Sequence, residues 1–282
     1  RRVEGGAPRR TVVCKNCGLI FHPPDPSDDL ASSSHYYGCE VPTHMHLVKS
    51  LRRGLAIAEW INASVEAGGL EMKLGPNARV LDIGSGTGGV LAIFRQLYHC
   101  EIYGVEPDVG FSRYANDCMG VRTLNAPFQQ ADPSGPFQLI IVSHAIFCFP
   151  RPDDVLRRLV SLLADGGVLY ISVGDYLRPR RLGGLGNYLL KDYARYYFTR
   201  SSMARLLATT GFKLLRVDRS VKGETQFLAI SSADRPLSPL PHENWIRVVC
   251  LLRFYDLRSF GNRAARRILR SVRSLIRLRA RS

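Results

Sequence analysis

The chain has 282 residues, of which 45% are hydrophobic and 22% are charged. This balance is typical of a globular protein and excludes a chain that is disordered throughout or a fibrous repeat. The 7 cysteines are odd in number and scattered along a chain long enough to fold without disulfides, which favours a reducing, cytoplasmic location. No signal peptide is visible, and no apolar run reaches the roughly 18 residues that a membrane-spanning helix needs.

The first 46 residues differ in composition from the rest, since they are rich in Pro, Ser, His and Cys. Cys14 and Cys17 form a C-x2-C pair followed by glycine, a turn typical of a zinc knuckle because it directs both thiolates at one metal. Cys39 and His44 follow at a spacing that would complete a structural site with four ligands. The alternative is a pair of reduced thiols without metal.

A helix is predicted over 47–68, where apolar residues recur at helical spacing and two glycines follow. We treat 47–77 as this helix and a linker. From 78 to 232, strand-like and helix-like segments alternate. The predicted strands are 79–83, 101–106, 121–125, 137–143, 167–173, 212–219 and 225–231. The predicted helices are 88–98, 110–118, 152–163 and 201–210.

This alternation predicts an α/β fold with a doubly wound, seven-stranded and mostly parallel sheet. Several strands are continuous apolar runs, as in Leu139–Val142, which is typical of strands buried on both faces. The link between the last two strands is too short for a parallel crossover. These two strands are therefore predicted to form a terminal antiparallel hairpin.

The segment 80–89 reads Val-Leu-Asp-Ile-Gly-Ser-Gly-Thr-Gly-Gly, a strand that runs into a glycine-rich turn and then a helix. Glycines let the backbone turn sharply and let a ligand approach the main chain. Gly84, Gly86 and Gly88 fit a G-x-G-x-G loop that cradles S-adenosylmethionine. With Gly89 in the third place, the spacing fits the dinucleotide fingerprint instead.

An acidic residue at the end of the second strand bears on this choice. Glu106 can hydrogen-bond both hydroxyls of a ribose, and Pro107 follows it. Asp82 precedes the glycines by two residues. The acid before the loop and the proline after Glu106 favour S-adenosylmethionine over a dinucleotide. The third reading is a tight turn without a ligand.

These motifs resemble those of the class I S-adenosylmethionine-dependent methyltransferases. Leu81–Gly88 matches the first motif, Gly104–Pro107 the second, Phe137–His144 the fourth strand and Leu162–Tyr170 the turn into the fifth. The resemblance implies a Rossmann-like sheet with the cofactor across the carboxyl ends of its first strands. The cofactor-binding residues that it implies are Asp82, Gly84, Ser85, Gly86, Gly88, Glu106, Pro107 and Ser143.

The same resemblance extends to the bacterial subfamily with an N-terminal zinc-binding module, which is similar to the sugar C-methyltransferases. In this fold the loop after the fourth strand faces the methyl group, so Ser143 and His144 are the predicted catalytic residues. Histidine titrates near neutral pH and suits a general base. The alternative is that His144 packs against or caps the following helix.

An insertion at 174–198 is rich in tyrosine and arginine. Because it follows the carboxyl end of a strand, it is predicted to be a lid over the cleft, suited to sugar and phosphate. The alternative is a surface loop.

The positive charge is concentrated at the carboxyl end. The net charge is +15, and residues 245–282 hold 11 arginines against one acid, which amounts to +10. Within a basic tail at 233–282, apolar residues recur at helical spacing at Ile268, Leu269, Val272, Leu275 and Ile276. Such an amphipathic helix either docks on the domain or lies peripherally on an anionic membrane surface; nucleic acid is the least favoured partner.

The sequence therefore predicts a methyltransferase that uses S-adenosylmethionine and acts on a small molecule or a glycan precursor, such as a nucleotide-linked sugar. A second hypothesis is a non-catalytic S-adenosylmethionine-binding domain that acts as an adaptor through its basic tail. It arises from three departures from the family pattern, at Gln138, Phe147 and Cys148. The last two stand where the subfamily has an acid and a histidine.

Overall fold

The computed structural model describes residues 11–23, 42–68, 72, 74–174, 194–220, 224–233 and 242–254. In chain order, its elements are β1 (Val12–Val13), β2 (Ile20–Phe21), α1 (His44–Gly68), β3 (Arg79–Ile83), α2 (Gly89–Tyr98), β4 (Glu101–Val105), α3 (Val109–Asp117), β5 (Arg122–Leu124), β6 (Phe137–Ser143), α4 (Pro152–Leu162), β7 (Leu163–Gly174), β8 (Tyr196–Tyr197), α5 (Arg200–Thr209), β9 (Phe212–Arg219) and β10 (Glu224–Ser231). Residues 245–254 are also helical.

Seven strands form one sheet in the order β5-β4-β3-β6-β7-β10-β9. Strand β10 runs antiparallel to both β7 and β9, while the pairs from β5 to β7 are parallel. The predicted fold class and the terminal hairpin are therefore confirmed. From β3 the chain continues to β4 on one side and later to β6 on the other. The loops after β3 and β6 diverge at this point and open a crevice at the carboxyl edge of the sheet.

Helices cover both faces of the sheet with apolar side chains. Ile57 and Ile61 of α1 and Phe94 of α2 are fully or almost fully buried on one face, whereas Leu156 of α4 and Leu207 of α5 are buried on the other. The continuous apolar run of β6 is inaccessible to solvent, as its sequence predicts for a central strand. This double layer buries both faces of the sheet and leaves its carboxyl edge, with the loops that follow the strands, as the place for a site.

A second, three-stranded sheet of order β1-β2-β8 differs from the sequence-based expectation. Tyr196 and Tyr197, predicted to belong to the lid, instead pair with Phe21 and Ile20. Tyr197 and Ile20 are fully buried in the main core, and the Tyr197 hydroxyl lies 3.0 Å from Nε2 of His22. The physical reason is that the short β1–β2 hairpin leaves an edge unpaired, and aromatic residues are good strand formers. Within the first segment, the described strands β1 and β2 therefore pack on the main core through Ile20.

The predicted zinc ligands are only partly brought together. Cys14 and Cys17 are neighbours in a turn closed by the 2.9 Å bond from Gly18 N to Cys14 O. His44 lies in the first turn of α1, which begins three residues earlier than predicted and carries this side chain into an exposed position. Among the described residues no three potential metal ligands form a cluster. Cys39 lies outside the described residues, so the zinc site remains a prediction.

Two other predicted segments fall mostly outside the described part of the chain: most of the lid, at 175–193, and the amphipathic run at 263–277. What is described of the tail is the helical stretch 245–254, whose Val248 is buried against the core. No helix within the described ranges is long and apolar enough to cross a membrane.

Candidate functional site

The glycine loop after β3 is held in a left-handed backbone conformation. Gly84, Gly86 and Gly88 have φ angles of 77°, 53° and 73°, a region that side chains disfavour. A Cβ added to Gly84 would lie 2.9 Å from Cβ of Ala145, and one added to Gly88 would lie 2.8 Å from Cγ2 of Val121. These two glycines are therefore required for packing. A Cβ on Gly86 would meet nothing within 4 Å, so this glycine borders open space where a ligand can approach the main chain.

Glu106 ties this loop to the end of β4. Its Oε2 accepts a hydrogen bond from Gly86 N at 2.8 Å, and its Oε1 accepts one from Asp108 N at 2.9 Å. Burial raises the pKa of Glu106 although these N–H donors oppose the shift. Each carboxylate oxygen has a second acceptor position, so Glu106 can still bind ribose hydroxyls while it holds the loop.

Three buried polar atoms around the loop lack a partner among the described residues: Oδ1 of Asp82, Oγ of Ser85 and Oγ1 of Thr87. Burial raises the pKa of Asp82 to about 7, and the Arg53 side chain of α1 opposes this shift. Buried polar groups in proteins are nearly always hydrogen-bonded. Together with the open space beside Gly86, these atoms fit S-adenosylmethionine, which carries an ammonium group and ribose hydroxyls.

A cavity of about 190 Å³ adjoins the loop at the carboxyl edge of the sheet. Five of the residues predicted from sequence contribute to its wall, namely Gly84, Glu106, Pro107, Ser143 and His144. The structure thus brings the predicted cofactor-binding acid and the two predicted catalytic residues to one cavity. Asp82 and Ser85 lie buried beside it without lining it.

Other wall residues were missed by sequence reasoning. Phe128 and Gln129 follow β5, the neighbour of β4 in the sheet. Because the parallel strands all end at the same edge, this position could have indicated from the sequence that both residues lie near the site. Phe149 follows the β6 loop, and Arg195 precedes β8. Arg195 N donates to Phe147 O at 2.9 Å. This bond joins the residue just before β8 to the loop after β6. No local sequence signal marks Arg195, because its position depends on the pairing of β8 with β2.

Polar side chains continue from the cavity across three strands. The Ser143 and Ser172 hydroxyl oxygens lie 3.0 Å apart, and the Tyr170 hydroxyl donates to Gln226 Oε1 at 2.9 Å. Ser143, Ser172 and Gln226 are in register on β6, β7 and β10. His144, the next residue after β6, has a φ of 57°. This left-handed conformation costs a residue with a side chain about 1–2 kcal/mol, so the surrounding structure holds it there.

The three departures from the family pattern have physical explanations. Gln138 Oε1 accepts the Arg79 N–H at 2.7 Å and so joins β6 to β3. Phe147 is 6% exposed and belongs to the apolar core. Burial raises the pKa of the Cys148 thiol to about 12, which keeps it protonated and unreactive. The Phe147 and Cys148 side chains therefore supply no acid or base.

Replacing Glu106 with alanine is expected to weaken cofactor binding by roughly 1.5–3 kcal/mol, because hydrogen bonds from a charged carboxylate are lost. Titration calorimetry with S-adenosylhomocysteine measures the change. Glu101→Ala, at the exposed opposite end of β4, is the matched control. Equal affinity of the Glu106→Ala protein and the wild type would place the ribose elsewhere.

Comparison with known proteins agrees with this geometry. Residues 52–217, more than half of the chain, match the family described as "Methyltransferase domain". The chain is 38% identical over 104 residues to protein-L-isoaspartate O-methyltransferase 1 of Marinobacter nauticus, an alignment that covers 34% of this chain and only 44% of that protein.

Two solved structures are among those to which the chain is similar. One is a chain from the complex between the Haloferax volcanii Trm112 methyltransferase activator and a methyltransferase, with a TM-score of 0.51 at 12% identity over 65% of this chain and 95% of that one. The other is the magnesium protoporphyrin IX methyltransferase of Synechocystis PCC 6803, with a TM-score of 0.46 at 15% identity over 73% of this chain and 93% of that one. The family match, the strand order and the glycine loop agree, and the chain belongs to the class I S-adenosylmethionine-dependent methyltransferases.

Proposed function

We propose that this chain transfers a methyl group from S-adenosylmethionine to a small-molecule acceptor bound at the carboxyl edge of the sheet. Two observations carry the proposal: the open space beside Gly86 in the loop held by Glu106, and the cavity that Gly84, Glu106 and His144 line. The cofactor supplies a methyl group on a positively charged sulfur. The chain supplies orientation and shelter from water, which turn a bimolecular step into an effectively unimolecular one.

The polar side chains at the site have distinct roles in this proposal. Glu106 holds the ribose hydroxyls, and the unpartnered oxygens of Asp82, Ser85 and Thr87 receive polar groups of the cofactor. His144 borders the cavity and acts as the general base for the acceptor. Ser143 supports this edge through its contact with Ser172.

The proposed acceptor is a small molecule or a glycan precursor such as a nucleotide-linked sugar. Support comes from the cavity wall, where the rings of Phe128 and Phe149 lie near Arg195. Aromatic faces pack against sugars and bases, and a guanidinium group is suited to bidentate pairing with phosphate. The alignment with the Marinobacter nauticus protein covers only 44% of that protein, so its acceptor is not assigned to this chain.

The test has two steps. S-adenosylhomocysteine binding is first measured by calorimetry on the full chain. Cofactor labelled on its methyl group is then incubated with a cell extract separated into small molecules, glycan precursors and protein. Label in either of the first two fractions is the expected result, and label only in protein would overturn the proposed acceptor class. Binding without any transfer would overturn the enzyme in favour of the adaptor hypothesis.

We also propose that the basic tail brings the enzyme to an anionic membrane surface. Removing 262–282 deletes eight arginines and no acid, and lowers the formal charge from +15 to +7. Since each basic residue near such a surface contributes about 1 kcal/mol, the truncated chain is expected to lose binding to anionic vesicles at low salt. Cosedimentation checks this, with neutral vesicles as the control. A lower melting temperature with unchanged vesicle binding would show that the tail docks on the domain instead.

A further inference from the structure

Two side chains that come from different strands meet beside the cavity. His144 directly follows β6, and Glu224 is the first residue of β10. Nε2 of His144 lies 3.0 Å from Oε1 of Glu224, and the two side chains are only 24% and 25% exposed. We infer that Glu224 is a positioning residue for His144 and that the pair forms the proton-accepting dyad of the methyl transfer. This inference rests on the proposed function. It adds that the Glu224 carboxylate orients His144 and stabilises its protonated form.

The backbone is arranged to make this contact. His144 has a φ of 57°, while its amide N still donates to Ser172 O of β7 at 3.0 Å. Strand β7 lies between β6 and β10 in the sheet. Its last residue, Gly174, is the register partner of Glu224 and has no side chain to separate the pair. The left-handed turn and this glycine together allow a residue of the β6 loop to reach an acid on β10.

The contact decides which ring nitrogen of His144 carries the proton. The 3.0 Å separation does not have the angle of a hydrogen bond in this structure. A negative carboxylate this close still favours a hydrogen over a lone pair on the facing nitrogen, so Glu224 favours the tautomer with hydrogen on Nε2. The lone pair then resides on Nδ1, where it can take a proton. The ring of Phe147 packs edge-on beside the imidazole, at a centroid distance of 6.3 Å.

The proposed step conserves atoms and charge. An acceptor O–H or N–H gives its proton to Nδ1 of His144 while its lone pair forms the bond to the methyl carbon. The carbon–sulfur bond breaks and its electron pair stays on sulfur, which becomes neutral. The positive charge therefore moves to the imidazole. There the negatively charged Glu224 carboxylate stabilises it, as expected of a preorganised electrostatic partner.

Other groups at the cavity are less suited to this role. The Ser143 hydroxyl is already within 3.0 Å of the Ser172 hydroxyl. Cys148 is a buried, protonated thiol because burial raises its pKa to about 12. We therefore assign the base to His144 and not to either of these groups.

The first test reads the tautomer directly and needs no acceptor. The chain has 7 histidines, so selective 15N-histidine labelling with His144→Gln for assignment isolates one ring. The wild type is expected to show a single tautomer with hydrogen on Nε2, and Glu224→Ala is expected to lose this preference. Glu66→Ala, at an exposed position of α1, is the matched control and is expected to keep it. The same tautomer with and without the carboxylate would overturn the dyad.

The second test separates positioning from cofactor binding. Glu224→Ala is expected to keep its Kd for S-adenosylhomocysteine within about threefold of the wild type and to lower single-turnover transfer by roughly tenfold or more. Glu224→Asp is expected to recover part of the rate, and His144→Gln to lower it by about 100-fold. Glu224→Gln keeps the side-chain shape and replaces the alanine variant if that variant does not fold.

The two proposals fail in different ways. If the wild type does not bind S-adenosylhomocysteine, the proposed function is wrong. If it binds and transfers, but Glu224→Ala transfers at the wild-type rate, the dyad is wrong and the methyltransferase stands.

Discussion

Replacing Gly86 with valine is expected to abolish cofactor binding, with a loss of affinity of at least about 100-fold, or about 2.7 kcal/mol. A Cβ at this position meets no protein atom within 4 Å, so a valine side chain would occupy the space that the ligand needs against the main chain. It would also have to adopt a φ of 53°, which a β-branched residue strongly disfavours. Calorimetry with S-adenosylhomocysteine measures the loss.

Gly166→Val is the matched control for backbone strain. Gly166 has a φ of 69°, and a Cβ there also meets nothing within 4 Å, but it lies near the start of β7, at the edge of the sheet opposite the site. Both variants are expected to lose stability, and only Gly86→Val is expected to lose the cofactor. A folded Gly86→Val protein with a Kd within threefold of the wild type would refute the assignment of the loop.

Replacing Asp82 with asparagine is expected to remove a pH dependence of stability. Burial raises the pKa of Asp82 from 3.8 to about 7. Between these values the unfolded chain has lost the proton and the folded chain retains it, so the free energy of unfolding falls as pH rises. Above pH 7 both states are ionised and the loss is complete. At 1.36 kcal/mol per pH unit it amounts to roughly 4 kcal/mol.

Urea unfolding at several pH values between 4 and 8 measures this effect. The difference in unfolding free energy between Asp82→Asn and the wild type is expected to grow with pH in favour of the variant. Asp117→Asn, at an exposed position of α3, is expected to follow the wild type throughout. Parallel curves for Asp82→Asn and the wild type would show that Asp82 is ionised in the folded protein across this range.

Most of the main sheet could be predicted from local patterns. The strand at 79–83 and the run at 137–143 agree with the structure to the residue, because a buried parallel strand needs a continuous apolar run and glycine or polar residues limit it. The glycine loop and Glu106 were also visible, since a turn followed by an acid one strand later is a short-range signal. The hairpin of β9 and β10 followed from the length of its link.

The remaining parts of the site depend on contacts between residues far apart in the chain. Tyr196 and Tyr197 looked like lid residues because nothing near them indicates that β2 offers a free edge. Arg195 reaches the cavity only because of that pairing.

The sequence by itself determined the fold class, the glycine loop and the chemical identity of each site residue, because these depend on local periodicity and spacing. Only the tertiary structure decided what the residues do together. Asp82 is an ordinary acid in the sequence, and its pKa rises because folding removes it from water. His144 and Glu224 become partners because β7 sets the distance between β6 and β10 and ends in a glycine. Burial and strand order are properties of the whole sheet, so no single segment encodes them.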